Sequence, residues 1–522
     1  MSVALRKSTQ PPVGTAPVLD EIVVGKDILE LVSSSMYVDP MTVYREYIQN
    51  AADAIDEARG AGLLTEDEPG VVDISFDVIS RTVRIRDNGA GVAWDRFART
   101  LTGLGGSAKR GTKARGFRGV GRLAGLGYSQ ELVFRSRVEG ESEVSELRWD
   151  CRGLKALLRS NDFSGSVAEL ISQVAKIARV TSEDMPTRFF EVEMRGIIRL
   201  RSDRLVTPAA VSQYLSQVAP VPFSPEFSFG PEIAAAMRTV MRPSDLHIHI
   251  AGSVTPLYRP HRDHFDAGHG RMLAYEGVDI RQVPDMEGGP AAIAWVLHHP
   301  YEGAIPVANL VKGLRLRAGD VQVGDGTSLE ELFAEQRFNS WSVGEVHVLD
   351  RRIVPNGRRD DFEQNAHLGN LMTQLTPIAR DISRRCRSNS IRRNWLRRFE
   401  LNDTAVRETV EALRHGSMGI DRGSISKSAD LSLTEMERIA NMPILSEDAD
   451  MLLQSVADLR VAFQAVAGSR SSDGSPLSAM PATERANYER MFELIYECSV
   501  NRVAARKLID RITSRVASWP IT

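Results

Sequence analysis

Apolar residues recur at helical spacing early in the chain. Val43, Ile48, Ala51, Ala52 and Ile55 form one stripe, which predicts a helix through Tyr44–Asp56. Residues 81–87, Arg-Thr-Val-Arg-Ile-Arg-Asp, alternate polar and apolar as a half-buried strand does. Further strands are expected near 71–78, 131–138 and 188–194, with helices between them. Ser202–Pro222 reads as a helix with a stiff Ala-Pro-Val-Pro exit. Residues 240–365 mix short strands (Leu246–Ile250, Ala291–Leu297, Leu314–Val323, Glu345–Val348) with one helix near Leu329–Arg337. From about 366 onward the pattern is helical, broken at His415–Lys427 and Gly468–Pro481. The expected class is therefore α+β. It comprises an arm at 1–19, an α/β domain at 20–230, an α+β middle domain at 240–365 and a mostly helical region at 366–522.

The polar positions of these elements carry the candidate chemistry. Glu46, Asn50 and Asp53 are spaced i, i+4, i+7 and so share one helix face. Glu46 can serve as general base on a water. Asn50 can give its amide oxygen to a hard cation such as magnesium. Taken alone, the row also suits a solvated helix face. The strand at 81–87 runs into Asp87-Asn88-Gly89-Ala90-Gly91. That leaves a carboxylate at a strand end, able to accept a hydrogen bond from an exocyclic amine, followed by glycines where the backbone turns. An ordinary Asn-Gly turn has the same appearance. Residues 101–127 hold nine glycines, interleaved with Lys109, Arg110, Lys113, Arg115, Arg118 and Arg122. Glycines let backbone N–H groups approach phosphate oxygens, and the basic residues supply charge. Gly116, Gly119 and Gly121 would open a helix carrying Phe117, Val120 and Leu123 at helical spacing. A plain linker would not need that spacing.

The order of helix acid–amide–acid, strand-end Asp-x-Gly-x-Gly and glycine-rich lid resembles the GHKL (Bergerat-fold) ATPase superfamily. That group includes gyrase, the ninety-kilodalton heat-shock chaperones, histidine kinases and the MutL proteins. The resemblance implies an α/β sandwich ATPase domain and ATP and Mg2+ as cofactors. It implies Glu46 as catalytic base, Asn50 as magnesium ligand, Asp87 as adenine reader and Asp53 lining the pocket. Gly89 and Gly91 would shape the nucleotide turn. Ser107, Lys109, Gly116, Gly119, Val120 and Gly121 would belong to the lid. Thr187 fits the threonine the family places near adenine, although Pro186 stands where the family has glycine. Tyr44–Arg59 and Gly116–Gly121 look most like the heat-shock chaperones, of the high-temperature protein G type. Gly116-Phe-Arg-Gly119 also looks like the MutL lid.

Pro355-Asn356-Gly357-Arg358-Arg359-Asp360 resembles the chaperone segment whose arginine reaches the terminal phosphate. This puts Arg359 in that role, with Arg358 and Lys312 as rivals. A guanidinium from a second domain can stabilise a transferring phosphoryl group. The implied function is an ATP-hydrolysing conformational machine, with a nucleotide-gated lid and domain closure acting on protein clients. The alternative is a DNA- or RNA-associated ATPase of MutL or MORC type in genome maintenance or phage defence. Arg380–Arg398 is rich enough in arginine for nucleic acid, or for a solvated helix face. A regulatory nucleotide-binding module with little turnover is a third reading. A histidine kinase is disfavoured, because no separate phospho-acceptor helix is evident.

Composition changes this picture little. The 522 residues are long enough for two to four domains. A net charge of −3 demands no polyanionic partner. Cys151, Cys386 and Cys498 are scattered, which argues for a reducing compartment and no structural disulfides. The five histidines between His247 and His269 lack metal-site spacing. No apolar run approaches the length of a membrane span, and residues 1–17 lack the apolar core of a secretory signal. A cytoplasmic homodimer is expected.

Overall fold

The computed structural model describes residues 39–103, 121–160, 165–200, 202–243, 246–414, 422–467, 480–499 and 502–517. The arm at 1–19 and the lid positions Ser107, Lys109, Gly116, Gly119 and Val120 lie outside the described residues. The chain is α+β, as expected, with a helical C-terminal region. By contacts it divides into two units. One runs to His299 and takes in Ala304–Arg380, and the other is Pro300–Gly303 with Asp381 onward.

The first unit opens with α1 (Thr42–Gly60), β1 (Gly70–Asp77), β2 (Thr82–Asp87) and α2 (Trp94–Thr102). Then come β3 (Glu131–Arg137), β4 (Glu143–Asp150), α3 (Cys151–Arg159), α4 (Val167–Val174), β5 (Ala175–Thr181) and β6 (Phe189–Arg195). After α5 (Pro208–Val218) and α6 (Gly230–Arg238), β7 (Leu246–Ile250) completes a seven-stranded sheet of order β5-β4-β3-β6-β2-β1-β7. One face of this sheet presents Val72, Ile74, Ile85, Phe134, Leu147 and Val192 to the apolar stripe of α1 and to Val211 and Leu215 of α5.

β8 (His264–Asp266) and β9 (Met272–Ala274) pair with each other. β10 (Gly277–Pro284), β11 (Pro290–His298), β12 (Gly313–Ala318), β13 (Val321–Val323) and β14 (Val343–Val348) form a five-stranded sheet of order β10-β11-β14-β12-β13. The helical region comprises α7 (Ala366–Arg414), α8 (Arg422–Ala440), α9 (Ala449–Ala467), α10 (Ala482–Cys498) and α11 (Arg502–Ala517). Within the second unit Phe399, Val406, Leu433, Met436, Leu452 and Val456 share one core.

Several expected elements need correction. Leu246–Ile250 is not a middle-domain strand: as β7 it runs parallel to β1 at the edge of the first sheet. The helix near Leu329–Arg337 is two separate 3-10 turns, Glu330–Leu332 and Gln336–Trp341. Extended backbone at Phe333 and Glu335 parts them, which lets Leu329, Phe333 and Phe338 all bury. Leu314–Val323 is a hairpin, because Gly319 adopts φ 61° and reverses the chain between β12 and β13. The helix at Ser202–Pro222 shortens to α5, with Pro208 in its first turn, where a missing N–H costs nothing. β4 and β5 stand where only helices were expected. β5, at the sheet edge, is exposed along most of its length and shows no alternation.

Candidate functional site

α1 carries the polar row that the spacing picks out. Asp39 accepts the Met41 N–H at 3.0 Å just before the helix begins. Tyr44, Tyr47, Ile48, Ala51 and Ile55 then anchor the helix in the core. Glu46 and Asp53 are buried at 5% and 7% exposure, so the row is not a solvated face. Asn50 is half-buried, and its side-chain amide makes no hydrogen bond among the described residues.

Arg359 meets this row from the far end of the first unit. Its Nε lies 2.8 Å from Glu46 Oε1. The loop that presents it is closed by the Pro355–Phe362 bridge and by Asn356 N–H donating to Asp361 O at 2.8 Å. Arg359 itself sits at φ 57°, a left-handed conformation unusual for a side-chain-bearing residue. Two donors hold its carbonyl there, Gly324 N at 3.0 Å and Arg45 Nη1 at 3.1 Å. Arg45 Nη2 also donates to Arg358 O at 3.2 Å. Arg358 thus contributes its backbone to the site, and the Lys312 ammonium forms no ion pair among the described residues. Gly121 lies against the other Glu46 oxygen, and a Cβ there would come within 2.0 Å of Oε2. Gly121 opens a 3-10 turn, Gly121–Gly127, rather than the expected helix. Gly125 N donates to Tyr47 Oη on α1 at 2.9 Å, fixing that turn to the helix. Arg122 Nη2 donates to Gly103 O at 2.5 Å, tying together the ends of the glycine-rich stretch.

The second half of the site is the turn after β2. Asp87 is buried at the strand end, paired across the sheet with Val72 and Phe190. Its Oδ1 accepts the Gly89 N–H at 2.9 Å. Gly89 packs on α1 so tightly that a Cβ would lie 2.7 Å from Ala54. Ala90 N donates to Ala54 O at 2.9 Å. Gly91 needs φ 70°, with Arg137 O 2.7 Å from where a Cβ would stand. Asp53 and Asp87 are therefore brought to one place by direct backbone packing of the turn on the helix. Thr187 lies exposed just before β6, beside the end of β2, and its side chain makes no hydrogen bond among the described residues.

The sequence reading missed the residues that hold these pieces together. Ser136 on β3 accepts from Val92 N at 2.7 Å and donates to Phe189 O at 3.1 Å, joining the glycine turn to the start of β6. Arg137 Nη2 donates to Ser182 O and Met185 O, at 3.2 and 2.5 Å, steadying the loop that leads to Thr187. Arg45 and Gly324 do the same for Arg359. Only the Gly324-Asp325-Gly326 run carries a local signal, a glycine pair at a turn.

The arginine-rich stretch is mostly committed inside its own helical unit. Arg384 and Arg385 pair with Asp381, Arg392 with Asp448 at 2.6 Å and Arg398 with Glu435 at 2.9 Å. Arg393 donates to Tyr301 O at 2.8 Å. Trp395 and Leu396 pack against a core that includes Phe399. Among the described residues no His, Cys, Asp or Glu cluster could hold a metal, and no helix is long and apolar enough to cross a membrane.

Residues 38–175 match the model of the family described as histidine kinase-, DNA gyrase B-, and HSP90-like ATPase. Similar curated proteins include the chaperone protein HtpG of Chromobacterium violaceum, 28% identical over 203 residues, which is 35% of this chain and 30% of the relative. The HtpG proteins of Burkholderia lata and Polaromonas naphthalenivorans are each 27% identical, over 200 and 198 residues. Each of these two matches takes in 35% of this chain, and 31% and 30% of the respective relative. The match thus spans less than a third of those relatives' length. Over residues 38–175 this chain is thus similar to the GHKL ATPase domains.

Proposed function

We propose that this chain binds ATP between α1 and the Asp87–Gly91 turn and hydrolyses it, using the cycle to drive conformational change on protein clients. Asp87 accepts from the adenine amine, Thr187 flanks the base and Asp53 lines the pocket. Asn50 offers its amide oxygen to magnesium, which takes oxygen ligands from one or two side chains and the phosphates. Magnesium would neutralise charge on the phosphate oxygens. Glu46 takes a proton from the attacking water, whose oxygen bonds to the terminal phosphorus as the bond to ADP breaks.

The observation that carries this reading is the 2.8 Å pair between Glu46 and Arg359. A guanidinium that close to the base also reaches a terminal phosphate beside it. On meeting that phosphate, Arg359 exchanges the carboxylate for phosphate oxygens, which frees Glu46 as base. The likeness to the chaperone protein HtpG supports chaperone-type action, and a lid over 101–127 and a cytoplasmic homodimer are further parts of this proposal. The nucleic-acid alternative draws less support, because most arginines of 380–398 already have partners. Glu46→Ala should keep ATP affinity and lose about 10²–10⁴-fold in turnover, as removal of a general base does. Arg359→Ala should keep affinity and lose up to about 10³-fold, the low end for an arginine acting on a phosphoryl group. Single-turnover hydrolysis with parallel ATP titration checks both, and normal turnover in Glu46→Ala would remove the assignment. Stimulation of the rate by unfolded protein but not by DNA separates the chaperone reading from its rival.

A further inference from the structure

Where β12 and β14 meet the end of α5 lies a charged cluster that the nucleotide chemistry does not use. Its centre is Glu345 on β14, with 1% of its side chain exposed. Arg317 Nη2 lies 2.7 Å from Glu345 Oε1, Arg259 Nη1 contacts Oε2, and His347 Nε2 is 3.1 Å from Oε2. Burial opposes charge on this carboxyl, but Arg259 and Arg317 outweigh it and hold the group well below the usual carboxylate range. Arg317 and Arg259 also reach away from Glu345, and Arg315 beside them reaches the same segment. Arg317 Nη2 donates to Gln217 O at 2.6 Å, Arg259 Nε donates to Val221 O at 2.9 Å, and Arg315 Nη1 donates to Gln217 Oε1 at 3.0 Å. Gln217 is in the last turn of α5, and Val221 lies in the chain that leaves it.

These contacts close a ring. α5 shares a core with α1, which carries Glu46. The end of α5 is held by arginines gathered on Glu345. The chain beyond β14 forms the loop of Arg359, which returns to Glu46. We propose that Glu345 is a positioning residue: through Arg259 and Arg317 it holds the 217–221 segment, and with it α1, in the register that lets Arg359 act at Glu46. This rests on the catalytic reading of Arg359 given above. A buried carboxylate facing two guanidiniums suits the role, since neither partner can be lost without stranding the other.

The test uses the full chain with magnesium and ATP. Glu345→Gln should lower kcat about 10-fold, within the ~5–150-fold range of couplings between sites, with KM and ATP affinity unchanged. Arg359→Ala in that background should cost far less than in the wild type. Gln217→Ala should lower kcat in the same direction by less. Gln217→Glu, which gives Arg315 a charged partner, should keep or raise kcat. A folded Glu345→Gln protein with wild-type kcat, or an undiminished cost of Arg359→Ala within it, overturns the proposal. If Glu345→Gln fails to unfold cooperatively on heating, the Gln217 pair decides, and unchanged kcat in both variants overturns it. Arg359→Ala with normal turnover in the wild type would remove the catalytic reading and this one together. Slow Arg359→Ala beside normal Glu345→Gln removes only this one.

Discussion

Glu46 is crowded from two sides, by Arg359 Nε and by Gly121, and each contact makes a distinct demand. The guanidinium can move to a phosphate, whereas Gly121 has no spare volume. A methyl at Gly121 would meet Oε2 at 2.0 Å, so Gly121→Ala must displace either the carboxylate or the turn. We expect it to lower kcat by about 10-fold or more, since small misplacement of a reacting group is costly, while leaving thermal stability near the wild type. Turnover equal to wild type would show that the turn moves away freely. Asp87 invites a different test. Asp87→Asn puts a second donor against the adenine amine and should weaken ATP binding by about 1–3 kcal/mol, the cost of a buried polar group without its partner. Wild-type protein should bind GTP poorly for the same reason, and equal ATP and GTP affinity by titration would remove Asp87 as the base reader. At this scale the sequence was informative where period and chemistry coincide: Glu46, Asn50 and Asp53 share a face because 3.6 residues make a turn. Arg45, their neighbour, was not legible. Its guanidinium serves backbone carbonyls 313 and 314 positions away, and no local pattern reports a contact of that kind.

The elements show where charge has been made structural. Across the outer face of the first sheet, Arg135 on β3 pairs with Glu146, Glu191 and Glu193 at 2.7–2.8 Å, and Arg195 pairs with Glu193 at 2.8 Å. Burial alone would raise the Glu193 carboxyl, but Arg195 and Arg135 outweigh it and hold it at about 2. In the loops beside the second sheet, burial pushes His261 down to about 3 and His299 down to about 4. The signs agree in direction and differ in window. A histidine kept neutral in the fold loses stability as pH falls from 6.5, where the unfolded chain begins to protonate. A carboxylate kept charged loses it only as pH falls from 4.5 toward 2. Acid unfolding should therefore begin with the histidines. His261 lies among Phe223, Phe227 and Trp295, with neither ring nitrogen hydrogen-bonded among the described residues. His261→Phe should flatten the fall in denaturation midpoint between pH 6.5 and 4.5 and leave the steeper loss below it. An unchanged slope in that upper window would put the acid sensitivity elsewhere. Strands with clean alternation, such as β2, were legible in the sequence. β5 was not, because an edge strand exposed along its length has no buried face to mark its period.

At the scale of the whole molecule, the division between the first two domains is less simple than the order of their elements. β7 follows α6 in the chain yet returns to pair in parallel with β1, and Leu257 N–H donates to Ile248 O at 2.8 Å just beyond it. Parallel pairing needs a long crossover, so no local turn signal could have joined residues 246–250 to a sheet begun at residue 70. The consequence for truncation is direct. A fragment ending at residue 230 strips β7 from β1 and leaves a row of unpaired backbone groups at a sheet edge, a template for aggregation. A fragment ending at residue 258 keeps that pairing and every residue proposed to hold adenine or magnesium, but lacks Arg359 and the Glu345 cluster. We expect residues 1–258 to fold and to bind ATP within about twofold of the full chain, since none of the proposed adenine or magnesium contacts is lost. Its hydrolysis should fall by as much as Arg359→Ala, up to about 10³-fold, because the same guanidinium is missing. Residues 1–230 should be less stable and prone to self-association. Calorimetric titration, steady-state turnover and sedimentation of the two fragments decide the matter. If residues 1–258 hydrolyse ATP as fast as the full chain, the second sheet has no catalytic part. The Glu46–Arg359 contact would then serve stability alone.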